Sequence, residues 1–327
     1  MQRAAIILIL SLLVLGCQSK TPAEPVRPLP LRLAYTTQPD CALVHIAAAR
    51  GYFQEEGVLL QPSLFGYGRQ ALAAVIEGKA DLATVAETPF VFAALNGKRI
   101  SLVASIFTSW QNNGIVARGL TSPTELRGKR IAYTPGTTSE MFLDTFLMVQ
   151  RIERSEVTLV GLSPQQMPAA LAAGEVDAAS TWNPTMKEAA TGLGAAGRVF
   201  YDPYLYTKTY VLAGNRSYIT ANQDLVQRVL RALLKAEAFA SLHPAEARTM
   251  VAATLKLSPE LLGEFWNVSR FRVSLEHSLI LLLEEESRWA LRRKPVPEAA
   301  MPNYLEHIDV RPLREVKPEA IKINTRR

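Results

Sequence analysis

The residue types that most often do catalytic or metal chemistry are few in this chain and far apart in sequence. There are four histidines and two cysteines among 327 residues. His45, His243, His277 and His307 lack metal-ligand spacing, either with one another or with the cysteines. The chain has no Gly-x-Ser-x-Gly nucleophile motif and no phosphate-binding loop. We therefore predict no catalytic residue, no metal and no cofactor, and we expect that the protein is not an enzyme.

Polar side chains instead gather in short loops that follow strand-like segments. Hydroxyl and amide groups of this kind hold a small polar solute by hydrogen bonding. Trp182 could be a core residue or a wall of the site, and Asn112 could contact the ligand or form a plain polar turn. The predicted ligand-binding residues are Thr36, Gln38, Gly68, Glu87, Thr88, Asn112, Thr137, Thr138, Ser139, Trp182 and Asn183.

The segment GTTSE at 136–140 leads from a strand into an apolar helix. Thr137 and Glu140 have the spacing of a capping box, so a well-made helix start explains this segment by itself. Capping uses only one or two of the free amides at a helix start. Thr138 and Ser139 could still offer N–H and hydroxyl donors to an oxygen-bearing ligand.

Acidic side chains lie in or beside these loops, and Arg69 is the one obvious cation there. Glu87 could be a solvated loop residue, but the adjacent Thr88-Pro89 suggests a rigid and positioned turn. A buried carboxylate near a bare oxyanion is costly. With Asp40, Glu87 and Glu140 close by, we expect a ligand that carries a hydrogen-bond donor, which Glu87 would accept.

An internal repeat predicts the elements that position these loops. LRLAYT at 31–36 matches KRIAYT at 129–134, and the pair Gly78 and Asp81 matches Gly174 and Asp177. The glycines suit helix ends and the aspartates suit turns, so we interpret both pairs as structural. Each half is predicted to be a strand–helix–strand–helix–strand unit with a parallel sheet.

The repeat predicts an α/β fold of two lobes with a cleft between them. Residues 31–115 would form the first part of lobe 1, and 116–209 lobe 2. Residues 210–327, mostly helical, would pack back on lobe 1. Crossing strands near 114–117 and 210–213 would join the lobes. In open α/β sheets ligands bind outside the carboxyl ends of the strands, which is where the candidate loops lie.

The amino-terminal segment predicts export. A basic start, MQR, precedes an apolar run at 4–15 that is too short to span a bilayer as a stable helix. The run ends in VLGC at 14–17, which resembles a bacterial lipoprotein signal. That resemblance implies a signal peptide at 1–16, lipidation of Cys17, a proline-rich tether at 17–30, and anchoring to a membrane in the periplasm or at the cell surface. A plain secretory signal is the alternative.

Several short motifs occur in a fixed order along the chain: ARGYFQEEG at 49–57, EGKAD at 77–81, LRGKRIA at 126–132, GTTS at 136–139, GEVD at 174–177 and TWNP at 181–184. Together they resemble the solute-binding proteins of ABC transporters in the nitrate, sulfonate and taurine family, which includes receptors for a thiamine pyrimidine precursor. The resemblance implies the type-two periplasmic binding fold, a small-molecule ligand between the lobes, and an ABC permease and ATPase as partners. A sensory or scavenging lipoprotein of the same fold without an importer is the alternative.

The charge pattern bears on macromolecular partners. The formal net charge of +6 is scattered in short clusters, and no basic tract interleaved with aromatic residues occurs. We therefore predict no nucleic-acid partner, and we expect a monomer.

Overall fold

The computed structural model of the protein describes residues 27–293 and 300–324. The predicted signal peptide, Cys17 and most of the predicted tether lie outside the described residues. None of the helices in the described ranges combines the length and apolar character that crossing a membrane would take.

The first sheet has six strands in the order β11-β4-β10-β3-β1-β2. Strands β1, β2 and β3 are parallel, and β10 runs antiparallel between β3 and β4. The bounds are β1 Leu29–Thr36, β2 Val58–Phe65, β3 Leu82–Ala86, β4 Ile100–Ser109, β10 Lys208–Asn215 and β11 Ser269–Arg270.

The second sheet has five strands in the order β7-β6-β8-β5-β9. Again three neighbouring strands are parallel, and the next strand, β5, is antiparallel to β8. Strands β5 and β10 thus hold equivalent places, each delivered by a chain segment that crosses from the other sheet. The bounds are β5 Asn113–Arg118, β6 Arg130–Tyr133, β7 Thr158–Gly161, β8 Ala178–Trp182 and β9 Gly197–Phe200. The predicted boundary between lobe 1 and lobe 2, after residue 115, falls inside β5. It assigned residues 113–115 to lobe 1, although all of β5 belongs to the second sheet.

Thirteen α-helices in the described ranges connect and cover the sheets. In the first lobe they are α1 Ala42–Ala49, α2 Tyr52–Glu55, α3 Gly68–Ile76 and α4 Glu87–Leu95. In the second they are α5 Thr138–Val149, α6 Met167–Ala173 and α7 Thr185–Gly192. The tail contributes α8 Arg216–Ala221, α9 Gln223–Leu242, α10 Pro244–Leu255, α11 Pro259–Asn267, α12 His277–Arg293 and α13 Arg311–Val316.

The internal repeat is confirmed at the amino ends of the strands. Arg32, on β1, donates to Asp81 at 2.6 Å and to the carbonyl of Gly78 at 2.9 Å. Arg130, on β6, donates to Asp177 at 2.9 Å and to the carbonyl of Gly174 at 2.8 Å. Each aspartate also accepts the backbone N–H of its arginine at 2.9 Å. The matched residues therefore form the same structural clamp in both lobes, between the start of one strand and the loop before another.

The helical tail joins both lobes. Apolar residues of α9, such as Val229 and Leu233, pack into the core of the first lobe. The carboxyl-terminal part of α12 does not stay there, since Trp289 and Ala290 belong to the apolar cluster around Phe142 of the second lobe. Assigning all of 210–327 to lobe 1 therefore missed a bridge, which matters because any motion of the lobes must involve α12.

Candidate functional site: an interlobe cavity

A cavity of about 10 Å³ lies between the two lobes. This volume is near the minimum that admits one water molecule, so the space between the lobes is narrow in this conformation. Its walls come from both lobes and, through Lys208 and Tyr210, from the second crossing strand. They are Gln38, Tyr67, Gly68, Arg69, Ala86, Pro89, Thr137, Thr138, Trp182, Lys208 and Tyr210.

Two helices begin at this cavity, one from each lobe. Helix α3 starts at Gly68 and α5 starts at Thr138. The first N–H groups of a helix have no partner within it, and the helix dipole adds partial positive charge at that end. Both lobes therefore present hydrogen-bond donors to whatever occupies the cleft.

Gly68 is required by the close approach of Tyr210. A Cβ at residue 68 would lie 2.5 Å from the Tyr210 hydroxyl and 3.0 Å from Cα of Val85. Any larger side chain would push α3 away from the sheet. The glycine thus fixes the distance between the start of α3 and strand β10.

A buried ion pair supports the floor of the cavity. The Lys208 ammonium lies 2.7 Å from Oδ2 of Asp40, and their side chains are 2% and 0% exposed. Asn112 donates to Asp40 at 2.9 Å and accepts from Lys208 at 3.3 Å. Burial raises the pKa of Asp40, while the charge and hydrogen bond of Lys208 oppose that rise. The negative charge of Asp40 is therefore balanced by a lysine of the protein itself.

Aromatic rings surround the same ammonium. Lys208 Nζ lies 5.2 Å from the ring centre of Trp182 and 5.4 Å from that of Tyr210. Both distances are within cation–π range. Tyr67 faces Trp182 at 6.5 Å between ring centres. The indole N–H of Trp182 is buried and has no hydrogen-bond partner among the described residues.

Five of the predicted ligand-binding residues line the cavity: Gln38, Gly68, Thr137, Thr138 and Trp182. Their contact with a ligand stays a prediction. Trp182 is both buried and part of the cavity wall, which joins the two alternatives that the sequence left open.

Other predicted residues lie behind the wall. Asn112 serves the Asp40–Lys208 pair, as described above. Thr36 is fully buried, and its hydroxyl lies 3.1 Å from the Cys41 sulfur. Burial raises the pKa of Cys41 to about 11, so it is a neutral thiol at neutral pH and a poor nucleophile.

The helix start at 136–140 differs in detail from a capping box. Thr137 accepts from the N–H of Ser139, whereas Glu140 reaches past Thr137 to the N–H of Gly136 at 2.7 Å. The Ser139 hydroxyl donates to the carbonyl of Ser180 at 2.7 Å. The expectation that Ser139 donates to a ligand therefore fails, because its N–H and hydroxyl are both in use.

The structure also corrects the roles of Glu87 and Thr88. Both side chains are fully buried, and neither lines the cavity. Glu87 accepts from the hydroxyl of Tyr206 and, at 2.9 Å, from the N–H of Thr209. Both partners belong to the second crossing segment. Glu87 therefore ties the start of α4 to this second crossing segment, the hinge between the lobes.

Asn183 lies at a neighbouring pocket of about 210 Å³. It does not line the interlobe cavity, although Trp182 beside it does. On the wall of this pocket, Lys187 of the second lobe pairs with Glu264 of the tail at 2.9 Å.

Six cavity-lining residues were absent from the predicted set, although Arg69 was noted as a nearby cation: Tyr67, Arg69, Ala86, Pro89, Lys208 and Tyr210. A signal for Lys208 was present, because a lysine beginning the apolar run YVLAG is an unusual strand start. Its partner Asp40 is remote in sequence, so the pairing itself left no local trace.

Two lobes of matching topology, closed over a small cavity at the helix starts, define the class of two-lobed binding proteins. Residues 38–247 match the family described as NMT1/THI5 like, and the chain belongs to that family. The α/β fold of two lobes with a cleft is the periplasmic binding protein fold, as predicted. The protein is thus a binding protein for a small solute.

Known proteins similar to this chain agree with that assignment. The alkanesulfonate-binding protein SsuA from Xanthomonas axonopodis, bound to MOPS, has a TM-score of 0.73 at 21% identity, covering 86% of this chain and 99% of that one. The nitrate-binding protein NrtA from Synechocystis has a TM-score of 0.74 at 13% identity, covering 89% of each chain. The taurine-binding periplasmic protein of Escherichia coli is 26% identical over 173 residues, or 52% of each chain.

Proposed function

We propose that this protein is the exported receptor of an ABC importer and closes over a small solute with an acidic, oxygen-rich head group. The observation that carries the proposal is the charge of the cavity wall. Among the described residues, the wall includes the cation Arg69 and no carboxylate, while Lys208, also on the wall, has its charge balanced by Asp40. Starts of two helices, one from each lobe, add donors that favour an anion.

This proposal replaces the expectation of a donor-bearing ligand that Glu87 would accept. That expectation depended on carboxylates in the cleft. Asp40 is paired with Lys208, Glu87 is committed to the hinge, and Glu140 pairs with Arg293 at 2.6 Å. With its acids neutralised or turned away, the cavity favours acceptor atoms on the solute.

Closure can be described by the contacts that cross between the lobes. Arg69 of the first lobe donates to the carbonyl of Pro135 in the second at 2.7 Å. A solute held by Gly68 on one side and Thr138 on the other would add to these contacts only in the closed form. Binding would shift the population toward closure by that difference in affinity.

The proposed solute class agrees with the ligands named for the similar proteins, namely alkanesulfonate, nitrate and taurine. Trp182 and Tyr67 suit an apolar body attached to the acidic head, because the rings offer flat apolar surface. We therefore place small sulfonates ahead of nitrate. We also propose that the protein has no enzymatic activity, since the buried Cys41 is a neutral thiol.

A thermal-shift screen of the purified protein tests the solute class. Ethanesulfonate, taurine, MOPS and nitrate would be compared with ethanol, ethanolamine and choline at equal ionic strength. A specific ligand at 100 times its Kd stabilises the folded state by about 2.7 kcal/mol. We expect at least one of the anions to raise Tm. A response only to ethanolamine or choline would contradict the proposal.

The proposed lipid anchor has its own test. Replacing Cys17 with Ser should move the protein from the membrane to the soluble fraction, because the thiol that would carry the lipid is lost. Affinity for the solute should not change, since the lobes are untouched. A wild-type protein that is already soluble after cell lysis would refute the anchor without affecting the solute assignment.

A further inference from the structure

Two carboxyl groups, Glu87 of α4 and Glu286 of α12, are buried side by side beneath the hinge. Both residues are 0% exposed. Glu286 interacts with Glu87 and with Thr88, yet neither of its oxygens has a hydrogen-bond partner of good geometry in the described ranges. The Thr88 hydroxyl also lacks such a partner. The proposed function makes no use of this cluster.

Two ionised carboxylates can only accept hydrogen bonds, so they cannot bond to each other without a proton. Buried charges are otherwise paired with a cation, but in the part of the chain that the structure describes neither glutamate forms an ion pair with Lys or Arg. The nearby Lys208 is committed to Asp40. Neither glutamate lines the interlobe cavity or the pocket of about 560 Å³ beside Thr209.

We propose that Glu87 and Glu286 share one proton at neutral pH and form a buried proton-binding site that stabilises the hinge. The shared proton lets Glu286 bond to Glu87, while Glu87 keeps accepting from Tyr206 and Thr209. Loss of the proton would leave two adjacent buried negative charges and push α12 away from α4.

The surroundings of the pair favour the neutral form. Burial raises the pKa of Glu87 to about 8, and the charge of Asp40 raises it further. Backbone N–H groups and the charge of Lys208 act in the opposite direction. Burial is also the largest cause that raises the pKa of Glu286. The charge of Glu87 is the second cause, and the charge of Glu285 contributes less. On the other side Tyr304, itself beside Ser287 and Glu284, has its pKa raised by burial and stays neutral.

The site lies where it can influence closure. Tyr206 lies between β9 and β10, and Thr209 is the second residue of β10, where the chain crosses from the second lobe to the first. Helix α12 carries Glu286 and, two turns later, Arg293, which pairs with Glu140 of the second lobe at 2.6 Å. Separation of α12 from α4 would therefore disturb both the second crossing segment and the bridge that α12 makes to the second lobe.

The pH dependence has a definite sign. An unfolded glutamate has a pKa of about 4.3, whereas in the folded protein the pKa of Glu87 is raised to about 8 and that of Glu286 is raised well above its ordinary value. Stability from this proton is fully present below the unfolded pKa and is lost as pH rises to the folded pKa. Between these limits the unfolding constant should increase by up to about 10-fold per pH unit through this proton alone.

The experiment compares Tm from pH 5 to pH 9 for the wild type, Glu286→Gln and the control Glu285→Gln. Glu285 is exposed on the same helix, so its variant should follow the wild type. Glu286→Gln should flatten the decline toward high pH, because the amide can donate to an ionised Glu87 without a proton. Parallel curves for the wild type and Glu286→Gln would overturn the proposal.

Infrared difference spectroscopy of the wild type keeps the proposal testable if Glu286→Gln does not fold. A protonated carboxyl band should persist at pH 7 and disappear near pH 8 to 9. Absence of that band at pH 7 would overturn the proposal. So would a Tm that depends on added Na⁺ or Ca²⁺ and falls with a chelator, because a cation would then hold the pair. The outcome does not depend on which solute the cleft binds.

Discussion

The two lobes resemble each other at the amino ends of their strands and differ at the carboxyl ends. At the amino ends the lobes are alike, since Arg32 with Asp81 and Arg130 with Asp177 make the same clamp. At the carboxyl ends the equivalent strands diverge. Strand β3 ends at the small Ala86 and β8 at the large Trp182, both on the cavity wall. The residues that follow differ as well, since Glu87 accepts from Thr209 of the second crossing segment, whereas Asn183 lies at a separate pocket.

The comparison separates framework from function. Each lobe needs the clamp that joins the start of one strand to the loop before another. The same residue types therefore occur in both lobes. The carboxyl ends meet across the cleft, where one lobe must supply what the other does not. Residues that match in the repeat are therefore good predictors of structure, and those that differ are better candidates for binding and motion.

The largest expected effect is at the floor of the cavity. Replacing Lys208 with Met leaves Asp40 buried without its cation, and breaking a buried pair in this way costs about 3–5 kcal/mol. Urea unfolding of the variant would measure the loss. The control is Asp40→Leu with Lys208→Met, which removes both charges and should recover most of the stability. A loss below about 1 kcal/mol in the single variant would contradict the assigned ion pair.

A smaller effect is expected at the start of α3. Gly68→Ala would place a Cβ 2.5 Å from the Tyr210 hydroxyl, and overpacking of this kind typically costs about 1–3 kcal/mol. Gly263→Ala is the matched control, because no atom lies within 4 Å of its added Cβ and alanine favours a helix interior. Differential scanning calorimetry should show Gly68→Ala less stable than the wild type and Gly263→Ala equal or more stable. Equal stability of both variants would mean that α3 is not tightly held.

The smallest effects are expected at the two clamps, which are partly exposed. Asp81→Asn should cost more than Asp177→Asn, because the Asp81 side chain is 10% exposed and that of Asp177 is 31% exposed. The hydrogen bond from Arg130 lowers the pKa of Asp177. Its contribution is therefore present at neutral pH and lost as pH falls below about 4, through the folded pKa. Acid unfolding curves of the two variants would show which substitution costs more stability. A larger cost for Asp177→Asn would contradict the expected dependence on burial.

Much of the framework could be predicted because its signals are local or repeated. The structural role of the Gly78 and Asp81 pair and of the Gly174 and Asp177 pair followed from the repeat. Gln38, Gly68 and Thr138 lie at the cleft, where loops after strands were expected. The direction of a side chain at a strand end could not be predicted in the same way. Glu87 looked like a cleft residue, but its partners Thr209 and Tyr206 lie more than 100 residues away.

The buried charges show the same limit. Asp40 and Glu87 could be counted as acids near the cleft, which favoured a donor-bearing ligand. Only the three-dimensional structure revealed that Lys208, 168 residues from Asp40, neutralises it. A prediction of ligand charge from loop residues alone therefore fails when the compensating ion enters from a crossing strand.

Intrinsic fluorescence tests most directly whether solute is held in the interlobe cavity. Ethanesulfonate, taurine and nitrate would each be titrated into the wild type, Trp182→Phe and the control Trp110→Phe. Of the four tryptophans, Trp182 lines the cavity, so at least one anion should change the emission of the wild type and of Trp110→Phe. Most of that change should be lost in Trp182→Phe. A full change surviving in Trp182→Phe but lost in Trp110→Phe would place the solute outside the cavity and contradict the account.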